Sequence, residues 1–170
     1  MKTYKNLVFL MMASTLLLAL GCSKEGPAGK NGIDGNANVI SSPWYSPTSW
    51  TLDGGEWYFD IDDNAINQDI VESGVILAYV SLPNDTYSKA VRQLPAYALG
   101  CNWDYMIPYY GRIEFVSDAQ IKPGTSNYYF RYILIPANHF LKSTAGNNSM
   151  AEILRNMSYS DVCKKYNIPE

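Results

Sequence analysis

The chain of 170 residues is poor in the groups that usually carry chemistry. Its only histidine is His139, and its only cysteines are Cys22, Cys101 and Cys163. A Ser/His/Asp or Cys/His constellation would have to use His139, which follows the strand-ending Pro136, and no nucleophile-elbow sequence occurs elsewhere. The cysteines lack CxxC spacing, whereas zinc takes three or four ligands. No metal and no cofactor is therefore expected. Clusters of positive charge are missing too. Of 13 basic residues only Lys164 and Lys165 adjoin, against 16 acidic ones, so the footprint of a nucleic-acid binder is lacking. Long hydrophobic runs are scarce as well: the main one, 7–20, falls short of the roughly 20 residues that a membrane-spanning helix needs.

That run is informative in another way. It follows Lys2 and Lys5 and ends in LALGC at Cys22, the pattern of a secretion signal over 1–21 that closes on a lipidation site. An ordinary cleaved signal and a retained anchor are the alternatives. Acylation at Cys22 would hold the protein on a membrane, because two or more chains anchor stably where one does so only marginally. In an exported protein Cys101 and Cys163 would meet conditions in which disulfides persist. Pairing them would close a long loop worth roughly 4 kcal/mol in the chain-entropy model. The other reading is two separately buried thiols.

Past Cys22, glycine recurs at every third place, at Gly26, Gly29, Gly32 and Gly35. That is the spacing of a collagen triple helix, whose axis admits only glycine. The register fails at Asn38, and four triplets with one proline are too few to hold three chains together. Residues 22–38 therefore read as a flexible tether that reaches at most about 55 Å, and the protein is expected to be a monomer.

From residue 39 to 170 tyrosine, tryptophan and β-branched residues dominate, with turn residues at short intervals. The pattern predicts a mainly β domain, an antiparallel β-sandwich with one short inserted helix and two short C-terminal helices. Strands are expected over 49–52, 56–61, 74–82, 96–103, 105–110, 112–116 and 128–135. In the last of these Phe130, Tyr132 and Leu134 alternate with Arg131, Ile133 and Ile135, and Pro136 ends the ladder. Helical spacing of Ile66, Ile70 and Val71 predicts the inserted helix over 65–72. Ser149 with Glu152 has capping-box spacing, and Ser158 with Asp161 offers a second helix start. Ile153, Leu154, Val162 and Tyr166 are expected to face inward and shield the sandwich.

The order of segments resembles a group of collagen-like lipoproteins of Bacteroidota: a lipidated cysteine, a few glycine triplets, WTLDGGEWYFDID, INQDIVESGVILAYV, QLPAY, YYFRYILIP and YSDVCKKYNIP. The resemblance covers nearly the whole chain and implies no activity. Ser23, Lys24 and Glu25 resemble the short charged export signal that sends some lipoproteins of that phylum to the outer face of the outer membrane. Gly26 departs from that signal, and a periplasm-facing anchor is the alternative.

Two constellations remain as candidate sites. Asp60, Asp62 and Asn64 alternate like the first ligands of a calcium loop, but Ala65 and Val71 stand where the turn glycine and closing glutamate belong. They read instead as an acidic strand end before a helix. Trp103, Tyr105, Tyr109 and Tyr110 lie close together, and rings with a polar handle suit a glycan or a protein partner. Filling of half-buried sheet faces explains the same residues. The expectation is a membrane-tethered, non-enzymatic envelope protein with an interaction or structural role. A glycan- or peptide-binding module that uses the aromatic residues is the alternative, and an enzyme the third reading.

Overall fold

The computed structural model describes residues 38–87, 90–139 and 148–170, so the expected secretion signal, Cys22 and the glycine triplets lie outside the described residues. Among the described residues, nine strands form two antiparallel sheets. The four-stranded sheet has the order β1 (Ile40–Ser41), β9 (Tyr129–Ile135), β4 (Val75–Ser81), β5 (Val91–Gln93). The five-stranded sheet has the order β2 (Thr51–Asp53), β3 (Glu56–Asp62), β8 (Arg112–Ser117), β7 (Cys101–Met106), β6 (Ala96–Ala98). The expected β-sandwich with its three short helices is what the chain forms.

The centre of the four-stranded sheet is the β4–β9 pair, in register from Val75↔Ile135 to Ser81↔Tyr129. Both strands read as near-continuous apolar runs because both of their faces are covered. Ala78, Val80, Phe130, Tyr132 and Leu134 face the five-stranded sheet and meet Trp50, Trp103, Ile113 and Phe115. Val75, Leu77, Tyr79, Ile133 and Ile135 face the opposite way, toward the C-terminal helices α2 (Asn148–Asn156) and α3 (Tyr159–Tyr166). Leu154, Val162 and Tyr166 are buried there, whereas Ile153 is exposed, contrary to expectation. Leu154, the next residue of α2, faces the sheet, and consecutive helical positions lie about 100° apart, so Ile153 points away.

Local chemistry explains where elements start and stop. The expected strand over 96–103 is two strands, because Leu99 and Gly100 take φ 55° and 82° and make a tight hairpin turn between Ala98 and Cys101. A two-residue turn with both φ values positive matches the twist of the strands it joins. The expected strand over 105–110 ends at Met106, and Tyr109 and Tyr110 fall in the turn that closes at Gly111, φ 89°. The inserted helix α1 (Gln68–Ser73) begins later than its apolar spacing predicts, because the Asn67 side chain accepts from the Ile70 N–H at 3.1 Å and caps it there. At α3 the Ser158 hydroxyl accepts from the Asp161 N–H at 3.2 Å, as the sequence led us to expect. The Ser149 side chain lies outside the described residues. The edge strands β1 and β5 are too short to leave a periodic signature of their own.

Candidate binding cleft

The four aromatic residues singled out in the sequence do not share a surface. Trp103 is buried and its indole N–H donates to the Ala98 carbonyl at 3.0 Å. Tyr105 also points inward, and its hydroxyl donates to the Ile76 carbonyl at 2.9 Å. Tyr109 and Tyr110 are exposed on the β7–β8 turn, Tyr109 against the Arg112 guanidinium and Tyr110 donating to Glu72 at 2.5 Å. Strand alternation sends 103 and 105 into the core, and the turn removes the other two from that strand.

The other candidates are also placed. Cys101 and Cys163 are both free and buried, Cys101 between the sheets and Cys163 beneath α3 on the far side of the four-stranded sheet. A sheet stands between the two thiols, so the disulfide does not form. Arg112 takes up the acidic run, donating to Asp62 at 2.6 and 3.0 Å and also to Asp60. That hydrogen bonding holds the Asp62 carboxyl below its usual range. The adjoining Asp63 accepts from the Tyr132 hydroxyl at 2.6 Å and from the Ala65 N–H at 2.9 Å. His139 lies in a 3-10 turn over Ala137–His139.

A different set of residues forms a concavity. A cleft of about 510 Å³ is lined by Trp44, Ser81, Val91, Tyr129, Tyr159 and Glu170. That volume lies within the range of roughly 300–1,000 Å³ typical of ligand sites. Its floor is one cross-strand row, Tyr129↔Ser81↔Val91, on the helix side of the four-stranded sheet. Tyr159, Val162, Cys163 and Tyr166 of α3 pack on that side of the sheet, and Tyr129 at the start of β9 stays exposed.

Each wall has a local cause. Ser41 pairs with Ile133, yet Tyr45 pairs with Phe130, so the first strand carries one residue more than its partner across Pro43 and Trp44. Such a bulge reverses the alternation, and proline is tolerated at it. As a result Tyr45 packs between the sheets while Trp44 turns to the helix side. Tyr159 opens α3 directly after its Ser158 cap. Beyond the helix, Asn167 takes φ 53°, ψ 45° and turns the tail back, with the Ile168 N–H donating to the Cys163 carbonyl at 2.9 Å. Glu170 thereby comes to line the cleft, and its carboxylate accepts from the Ser160 hydroxyl at 2.7 Å.

Behind the walls lies Arg131, 6% exposed, on the same face of β9 as Tyr129. Its guanidinium donates to the Ser42 carbonyl (2.9 Å), the Tyr159 hydroxyl (2.5 Å), the Pro169 carbonyl (2.8 Å) and the Ser41 hydroxyl (3.2 Å). It also lies 5.7 Å from the Trp44 ring and 5.9 Å from the Tyr159 ring. One side chain thus ties together the bulged edge, the helix and the tail that wall the cleft. Burial pushes the Cys163 thiol and the Tyr159 hydroxyl up, which keeps both protonated near neutrality. Beside them the hydroxyl of the fully buried Tyr79 has no hydrogen-bond partner among the described residues.

These residues are scattered from 44 to 170 in sequence, so no local motif marks them. The one visible signal is Arg131, a cation inside an otherwise apolar strand. The cleft is lined by three aromatic residues, Ser81, Val91 and Glu170, an inventory suited to holding a ligand. No protein-family model, curated protein or solved structure matches the chain.

Proposed function

We propose that this is a lipid-anchored protein of the bacterial outer membrane, probing its surroundings through a ligand-binding cleft and carrying no catalytic activity. The observation that carries the binding role is the aromatic cleft of about 510 Å³ walled by Trp44, Tyr129 and Tyr159 and braced by Arg131. The anchor rests on the LALGC signature at Cys22 and on the resemblance to collagen-like lipoproteins of Bacteroidota. The segment from Cys22 to residue 38 serves as the tether, 39–170 as the binding domain, the charged residues after Cys22 favour an outward-facing anchor, and the shortness of the glycine-triplet run favours a monomer.

The anchor is tested by detergent partitioning of the full chain, which Cys22→Ala abolishes if the thiol carries lipid. An unmodified N-terminus at or after residue 22, found by mass spectrometry, overturns it. The cleft is tested on arrayed glycans and peptides with the full chain and with Trp44→Ala. The expected outcome is a class of ligand retained by the wild type and lost by the variant, and retention indifferent to Trp44 removes the cleft from the binding role.

A further inference from the structure

The charges around the cleft narrow what it takes. We infer that the ligand is an uncharged sugar ring of a glycan chain, seated on the aromatic walls with hydroxyls donating to Glu170. This rests on the reading of the cleft as a binding site.

Charge complementarity argues against ions of either sign. A ligand cation would be drawn to Glu170, but on Trp44 or Tyr159 it would approach rings that already face the Arg131 guanidinium, so like charge opposes the attraction between cation and ring. A ligand anion would meet the Glu170 carboxylate, which lines the cleft. It would find no compensating donor in Arg131, which is buried and committed to Ser42, Tyr159, Pro169 and Ser41. A purely apolar chain would suit the rings but would strip water from the Glu170 carboxylate and the Ser81 hydroxyl without replacing it. A pyranose satisfies all of these groups together. Its C–H face lies flat on aromatic rings, which are apolar bodies with polar tips. Its adjacent hydroxyls supply donors to a carboxylate, which when ionised only accepts.

The test is isothermal titration calorimetry on the full chain in a polyoxyethylene detergent free of sugar. The probes are maltohexaose, cellohexaose, mannohexaose and chitohexaose, set against a galacturonic acid hexamer, hexalysine and hexaleucine. At least one neutral hexasaccharide should bind saturably, and Trp44→Ala should weaken it about tenfold or more, the loss of one good ring contact. Glu170→Gln, which keeps the shape and removes the charge, should weaken it several-fold. Trp44-dependent binding of the uronate, lysine or leucine hexamer with all neutral sugars silent overturns the sugar assignment and leaves the cleft standing as a site. Absence of Trp44-dependent binding by every probe overturns both.

Discussion

The two faces of the four-stranded sheet are made by the same strands and differ in kind. Between the sheets, Phe130 meets Trp50, Phe59, Trp103 and Phe115 with ring centroids 4.9 to 6.1 Å apart. Polar atoms of that layer find acceptors, as when the Trp50 indole N–H donates to the Gly124 carbonyl at 3.0 Å and the Tyr132 hydroxyl to the Asp63 carboxylate at 2.6 Å. On the helix side, the alternate residues of β9 and β4 include Arg131 and Tyr79, packed with Tyr159 and Cys163. A facing sheet closes the first layer along its length. Short helices close the second incompletely, and the row they leave open is the floor of the cleft. The close-packed layer and the open cleft therefore lie on opposite sides of one pair of strands.

Removing a ring from the inter-sheet layer should have the largest effect. Trp103→Ala is expected to cost about 3–5 kcal/mol, since it deletes a large side chain from a close-packed core. Urea denaturation measures this, and a loss below about 1 kcal/mol would show that the layer repacks and is not the rigid half of the molecule. Arg131→Met is expected to cost about 2 kcal/mol. It strands the carbonyls of Ser42 and Pro169, while relief of a buried cation that has no carboxylate partner offsets part of the loss. Hydrogen exchange should quicken over 159–170 and stay unchanged in β3 and β8. Equal quickening in both layers would mean that the two faces are not separable. The smallest effect is expected for Tyr79→Phe. Its hydroxyl is buried without a partner among the described residues, so removal should leave stability unchanged or raise it by up to about 1 kcal/mol. A thermal melt showing clear destabilisation would mean that this hydroxyl takes part in the polar network beneath α3.

The inter-sheet layer was the more legible in sequence. Aromatic and β-branched runs over 128–135 and 56–61 identify β9 and β3, and the alternation of Phe130, Tyr132 and Leu134 with Arg131, Ile133 and Ile135 separates the two faces of β9. The same signal failed at Leu99–Gly100, where a hairpin turn takes two residues that do not interrupt an aromatic-rich stretch. It failed at Tyr109 and Tyr110, which proximity in sequence grouped with two core residues. The cleft left almost no trace, since Trp44, Ser81, Val91, Tyr129, Tyr159 and Glu170 come from six separate segments.

Composition and periodicity by themselves determined the class of the domain, its strongest strands, the site of the inserted helix and the Ser158 cap. Each follows from contacts between near neighbours in the chain. Only the tertiary structure decided that Cys101 and Cys163 are separated by a sheet, that Arg112 occupies the acidic run, and that a bulge at Pro43–Trp44 turns one ring toward a cleft. Those outcomes depend on register between strands and on how far a helix covers a sheet, quantities that distant residues set together and no local pattern encodes.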